Sequence, residues 1–270
     1  MKFKFGITGG TGSLGKTLIK LNPKINFVHF KNDIRKKNIL QKWVLQNDFD
    51  AIVHLAAIVP IKTVNHNKKK ALKVNFDGTK YLVDAILRSN VKWFFFASTS
   101  HVYKSSEKKI SESHIRKPIS FYGETKLLAE NYIIKNLKKS KTQFCIGRIF
   151  STSNINQKKN YLVPDLINKT RKAKKSLILS NLKHYRDFIS MTDISKIILI
   201  LYRKNFQGVI NIGRGNGVLL KDIASLIAKK FGKKCKFNDN KNTSYLVANN
   251  TKLKRYFNLK KNISLERLIF

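Results

Sequence analysis

At 270 residues and 42% hydrophobic, the chain can bury a sizeable core, which excludes a disordered tail. Its formal net charge of +40 comes from 45 Lys and 10 Arg against 15 acids, with 26 Asn, and the excess is spread over every segment. Nucleic-acid recognition favours the bidentate fork of Arg, so the charge reads as solvated surface from lysine-rich codon usage, and no nucleic-acid partner is expected.

Met1–Thr8 alternates like a strand and runs straight into glycines, without the shape of a signal peptide. The longest purely apolar run, Ile197–Tyr202, is far shorter than the roughly 20 residues of a membrane span. A cytoplasmic protein with no membrane partner is expected. Cys145 and Cys235 lack CxxC spacing, and the six His form no HExxH or HxH. Two reduced thiols and no metal are expected.

In chain order, Phe3–Thr8 reads as a first strand, followed by a helix over about 13–21. A second strand spans Asn26–Phe30, with a helix near 39–46, and the apolar run Ala51–Leu55 makes a third strand. A longer helix covers about 70–89, and Trp93-Phe94-Phe95-Phe96-Ala97 is a fully buried fourth strand. A helix over about 122–136 leads to a fifth strand, Gln143–Gly147. Beyond Ser151 the pattern loosens into helices near 164–174, 193–203 and 220–231, with strands at 177–179 and 209–212. Alternation of this kind specifies an α/β fold of the Rossmann type. The expectation is a doubly wound parallel sheet with a small mixed α/β C-terminal substrate-capping region. Residues 1–151 form the dinucleotide-binding core; residues 152–270 form the cap, with about 185–212 returning to the core sheet.

Thr8-Gly9-Gly10-Thr11-Gly12-Ser13-Leu14-Gly15 directly follows the first strand and opens a helix. Gly9, Gly12 and Gly15 suit a tight turn, a backbone approach to a pyrophosphate and close packing of the helix. The N–H groups of the helix start favour the phosphates. Tyr122 and Lys126 stand at i and i+4, hence on one helix face, where the ammonium is expected to lower the phenol's pKa. Thr99, Ser100 and His101 end the fourth strand, at the carboxyl edge where open α/β sheets bind ligands.

Together these motifs make the chain resemble the extended short-chain dehydrogenase/reductases, specifically the NAD(P)-dependent epimerases, dehydratases and reductases of nucleotide sugars. The resemblance extends to His54-Leu55-Ala56-Ala57 after the third strand, Asn75-Phe76-Asp77-Gly78-Thr79 in the following helix, and Arg148 near the end of the fifth strand. It continues through Arg186-Asp187-Phe188-Ile189, Asp193 and Asn211-Ile212-Gly213. It implies a catalytic triad of Thr99, Tyr122 and Lys126, with Lys126 also holding the nicotinamide ribose. Ser13, Leu14, Leu55, Ala56, Ala57 and Asn75 join the glycines as cofactor contacts. Asp33-Ile34 resembles the family's adenine-binding pair, and Arg186 the residue that grips the substrate diphosphate.

The departures from the family pattern narrow the chemistry. The 4,6-dehydratases carry an Asp-Glu pair after the catalytic threonine, where this chain has Ser100 and His101. Dehydration is therefore not expected. Lys104 replaces a usual glycine, and Ser151 a usual asparagine, so substrate contacts near Ser151 differ. Where NAD-selective enzymes end the second strand in an acid, Lys31 stands here with Arg35 and Lys36 nearby, which favours NADP(H) over NAD(H).

The expected activity is reduction of a nucleotide-linked 4-keto-6-deoxy sugar in surface-polysaccharide biosynthesis. A 4-epimerase using the same three residues is the alternative, and a non-catalytic Rossmann regulator or RNA-binding protein the more distant one. The resemblance also implies a homodimer, through helices 70–89 and 122–136.

Overall fold

The computed structural model describes residues 3–59, 61–152, 157, 161–238, 243–259 and 266. Strands and helices alternate as β1 (Lys4–Thr8), α1 (Ser13–Lys20), β2 (Asn26–Phe30), α2 (Lys37–Leu45) and β3 (Ala51–His54). The short α3 (Ile61–His66) follows, then a continuous helical run of α4 (Lys68–Leu72), a π-turn (Lys73–Asp77) and α5 (Gly78–Ile86). β4 (Trp93–Thr99) ends in a 3₁₀ turn, Ser100–Val102, before α6 (Phe121–Leu137) and β5 (Gln143–Ile149). The remainder comprises β6 (Ser151–Thr152), α7 (Leu162–Lys172), β7 (Ser176–Ser180), β8 (His184–Ile189), α8 (Met191–Arg203) and β9 (Gly208–Ile212). It ends with β10 (Gly217–Leu219), α9 (Leu220–Lys230), β11 (Lys234–Asn238), β12 (Ser244–Leu246) and α10 (Thr251–Lys254).

Six parallel strands in the order β2-β1-β3-β4-β5-β9 form the central sheet, the expected Rossmann-type α/β fold. β4 shows why both faces must be covered. Trp93 and Phe95 point into one apolar cluster with Leu18 of α1 and Ile194 of α8, while Phe94 and Phe96 point into another with α2, α5 and α6. Each fully buried apolar side chain of this size contributes about 1.5–3 kcal/mol, so a strand aromatic on both sides holds only between two helical layers. Among the described residues no helix is long and apolar enough to cross a membrane.

Of residues 185–212, expected to return to the core sheet, α8 packs on α1 and β9 pairs with β5. β8 instead pairs with β10, β12 and β6 in a separate small sheet. The reason is Asp187, fully buried, whose carboxylate accepts the backbone N–H of Arg214 and Gly215 at 2.8 Å each and of Ala248 at 3.1 Å. These bonds tie β8 to the loops after β9 and β12, away from the core sheet. A third apolar cluster joins β8 to α7 and α9, forming the cap.

Candidate active site

β1 pairs with β2 on one side and β3 on the other, so the strand order reverses there and a crevice opens beyond their carboxyl ends. A continuous cleft of about 930 Å³ occupies that crevice and extends past β4 to the cap. It is lined by Gly9 to Gly15, Lys31 to Ile34, Leu55 to Ala57, Thr99 to His101, Tyr122, Lys126, Ser151 and Arg186, but not by Asn75, Arg35 or Lys36.

At one end lies the glycine turn. Gly9 has φ +71°, and a Cβ there would come within 2.6 Å of Ala56 N, so only glycine permits this turn against the β3 loop. α1 begins at Ser13 with Gly12 as N-cap and no side-chain cap, which leaves its first N–H groups facing the cleft. A bare turn, free N–H donors and a helix start together fit the pyrophosphate of a dinucleotide. Behind it, fully buried His54 bridges Thr8 Oγ1 at 2.5 Å and Thr79 Oγ1 at 2.9 Å, locking the ends of β1 and β3 to α5. Burial, and then the charge of Lys126, pushes its pKa down to about 3, so the imidazole is a neutral spacer.

Asn75 lies outside the cleft. Its side chain exchanges hydrogen bonds with the Ile58 backbone at 2.8 and 3.0 Å and donates to Thr125 Oγ1 at 3.1 Å. Thr125 in turn donates to the Tyr122 carbonyl at 2.8 Å. Asn75 therefore fastens the loop after β3 to the helix that carries Tyr122, a positioning role in place of the expected cofactor contact.

Tyr122, Thr99 and Lys126 meet at the middle of the cleft. Ser120 caps α6, accepting Gly123 N–H at 3.2 Å, and approaches His101 Nδ1 at 3.1 Å. The 3₁₀ turn presses on α6 so closely that a Cβ on Gly123 would lie 2.2 Å from the His101 carbonyl oxygen. That approach brings Thr99 within hydrogen-bond reach of the Tyr122 hydroxyl. Burial is the main influence on the phenol and raises its pKa; nearby Tyr161 adds to this, and the bond with Thr99 opposes it. The expected lowering by Lys126 is thus not what the folded chain produces, because desolvation of the phenolate dominates. The Lys126 ammonium sits 4.2 Å over the Phe96 ring and donates no hydrogen bond among the described residues. Burial brings its pKa down to about 7 against the pull of Glu130. A buried cation facing a cleft without an acceptor suits the hydroxyls of a ribose.

His101 is also neutral, its pKa brought to about 4 by burial and then by the charge of Arg186. Arg186 itself pairs with no acid among the described residues. It donates to the carbonyls of Tyr185 at 2.8 Å and Ser244 at 3.2 Å, and burial lowers its pKa only to about 10. Its charge therefore remains available to an anion in the cleft. No motif pointed to Tyr161, at the start of α7, or to Lys62 of α3 and Asp165 of α7, which pair at 3.8 Å across the mouth of the cleft. They come from elements far apart in sequence, so only tertiary structure assembles them.

At the end of the cleft beside β2, Ile34 is buried against Gly78, while Lys31 and Asp33 are exposed on the wall of the cleft. Arg35 and Lys36 do not line it, and Arg35 Nε is bound to both Asp33 oxygens at 3.0 Å. That bond, chiefly, holds the Asp33 carboxyl down at about 2.

The NAD dependent epimerase/dehydratase family matches residues 6–213. A GDP-6-deoxy-D-talose 4-dehydrogenase from Aggregatibacter actinomycetemcomitans is 32% identical over 237 residues, covering 84% of this chain and 79% of that one. The structure of MoeE5 in complex with UDP-glucose and NAD is similar with a TM-score of 0.86 at 20% identity, covering 98% of this chain and 97% of that one. The structure of RMD from Pseudomonas aeruginosa complexed with NADPH is similar with a TM-score of 0.87 at 18% identity, covering 99% and 96%. With the glycine turn, the Tyr122–Lys126 helix and the Rossmann sheet in place, the chain belongs to the NAD-dependent epimerase/dehydratase family of nucleotide-sugar enzymes.

Proposed function

We propose that the protein is an NADPH-dependent reductase of a nucleotide-activated 4-keto-6-deoxy sugar, acting in the cytoplasm in surface-polysaccharide synthesis. The observation that carries this reading is a protonated Tyr122, hydrogen-bonded to Thr99, in one cleft with the glycine turn and with no acid at the end of β4. A dehydratase needs acids there to move protons at two carbons, whereas carbonyl reduction needs one proton donor. The cofactor, when bound, supplies a hydride to the carbonyl carbon. Thr99 orients the carbonyl oxygen and Tyr122 gives it a proton; the alkoxide forming there is a far stronger base than phenolate, so a phenol with a raised pKa still donates. Lys126 then balances the phenolate left behind. Arg186, and the cationic surface more broadly, attract the diphosphate. The relative named as a 4-dehydrogenase of a GDP-linked 6-deoxy sugar supports redox at that carbon.

The test is a panel of nucleotide 4-keto and 4-hydroxy sugars, each with NADPH, NADH or no added cofactor. Stoichiometric loss of reduced cofactor with a 4-keto sugar is expected. Interconversion of 4-hydroxy isomers without added cofactor would make the enzyme a 4-epimerase, and salt-dependent RNA binding with no turnover a regulator.

The preference for NADPH rests on Lys31 at the end of β2, now without the help expected from Arg35. In Lys31→Asp an attractive charge becomes a repulsive one at an exposed site. The ratio of kcat/KM for NADPH over NADH should fall about ten- to a hundredfold. An unchanged ratio would place the 2′-phosphate elsewhere.

A homodimer through α5 and α6 is the second structural expectation. Leu87 and Leu128 are 43% and 45% exposed beside these helices, an apolar cost that a partner copy would remove. Light scattering should give about twice the 31.2 kDa chain mass; a monomeric mass would remove the dimer.

A further inference from the structure

The proposed reaction leaves unused a side chain that stands beside its proton donor. His101 follows Thr99 by two residues, in the 3₁₀ turn that ends β4. It is held from three directions. Its N–H donates to Thr99 Oγ1 at 3.3 Å, its carbonyl accepts Ile119 N–H at 3.2 Å, and its Nδ1 meets Ser120 Oγ at 3.1 Å. The ring stands edge-on to that of Tyr122, with centroids 6.1 Å apart and planes at 67°, and it lines the cleft.

The two ring nitrogens have different surroundings. Ser120 Oγ, the cap of α6, already accepts Gly123 N–H at 3.2 Å. If Nδ1 carried the ring proton, that oxygen would accept twice, and its own proton would have no acceptor among the described residues. The pairing that uses every donor has Ser120 donating to Nδ1, which leaves the ring proton on Nε2. Nε2 itself bonds to no described residue. The buried side-chain nitrogens without a partner are Trp43 Nε1 and His114 Nε2, so His101 Nε2 is not sealed away but open, on a residue that lines the cleft. Burial, and then the charge of nearby Arg186, brings the pKa of the ring to about 4, so it carries a single proton near neutrality.

Thr99 and Tyr122 mark the substrate carbonyl and Arg186 its diphosphate, so a group near both faces the sugar that joins them. We infer that Ser120 fixes the tautomer of His101 so that its Nε2–H donates to a sugar hydroxyl next to the reacting carbonyl. The inference rests on the reading of the cleft as a keto-sugar site. In a 4-keto-6-deoxy sugar, C3 is the carbon flanking the carbonyl that bears a hydroxyl, so the 3-hydroxyl is the acceptor. A nitrogen that already holds a proton does not take one from carbon. His101 therefore orients the sugar and leaves its carbon-bound hydrogens in place.

The first test reads the tautomer in the purified chain without substrate. Nitrogen-15 NMR of the imidazoles separates protonated from bare ring nitrogens, and the His101 signals are those lost in His101→Gln. A proton on Nε2 at neutral pH is expected. A proton on Nδ1, or an even mixture of the two forms, overturns the inference. No turnover is needed, so this failure and failure of the reductase reading are distinguishable.

The second test reads the contact, as the dissociation constant of the nucleotide keto sugar measured with NADP⁺, where no reduction can occur. Gln carries an amide N–H near the place of Nε2–H, Asn carries it near Nδ1, and Leu has none. Binding of the sugar should weaken about tenfold in His101→Asn and His101→Leu, but less than about threefold in His101→Gln. Equal weakening in all three would make the residue merely structural, and no weakening in any would remove the contact; either result overturns the inference.

Discussion

Tyr122→Phe is expected to lower kcat by about 10²–10⁴ while leaving cofactor binding nearly intact. The ring is 8% exposed and packs with Val64 and Ala71, contacts that Phe reproduces, so only the hydroxyl is lost. That hydroxyl lies against Thr99 and lines the cleft, where it can serve as a proton donor. Burial keeps it protonated, which suits the reductive direction, where the group gives a proton. Thr99 and neutral His101 remain in the variant, but neither is as strong an acid as a phenol supported by a cation. Steady-state kinetics with a cofactor-binding titration checks this. Wild-type turnover in Tyr122→Phe would remove the proton-transfer assignment.

Arg148→Met is expected to cost about 3–5 kcal/mol of stability, the usual result of removing one partner from a buried ion pair. Arg148 and Glu130 are 2% and 0% exposed, at 2.7 Å. Methionine fills much of the volume but leaves the carboxylate with Ser98 alone, and it strips Tyr103 Oη and the Glu112 carbonyl of a donor. Urea unfolding followed by circular dichroism gives the change. Replacing Glu130 as well, by Leu, should cost less than Arg148→Met alone, because no unpaired charge then stays buried. A loss below about 1 kcal/mol in Arg148→Met would show that the pair does not anchor this part of the core.

Much of the core was legible because its periodicities are local. The continuous apolar run of β4 and the i, i+4 pair on α6 depend on neighbours a few residues away, and both form as expected. α3 was not legible: Ile61–His66 is six residues long, with two β-branched residues in its middle, too short for a period to show. β8 reads as a strand, but sequence spacing does not say which sheet it joins. Asp187 decides that through bonds to residues 27, 28 and 61 positions away.

The site shows the same division. The glycine turn, Thr99, Tyr122 and Lys126 follow from motif spacing, and the fold brings them into one cleft. The electrostatics did not follow. The i, i+4 spacing places Lys126 beside Tyr122, but burial of both groups sets their proton affinities, and burial is a property of the packed sheet. Likewise the bond between Arg35 and Asp33 spans only two residues, yet it ties up the Arg35 charge that the sequence reading placed beside Lys31.

The central claim is that this cleft delivers hydride to a sugar carbonyl, and isotope transfer tests it most directly. The enzyme is incubated with NADPH carrying deuterium at the transferable position of the nicotinamide and with a nucleotide 4-keto-6-deoxy sugar, and the product is analysed by mass spectrometry and NMR. One deuterium per sugar, bonded to C4, with one NADPH consumed for each product formed, is the predicted result. A product without deuterium at C4, or sugar conversion with the reduced cofactor unconsumed, would contradict it.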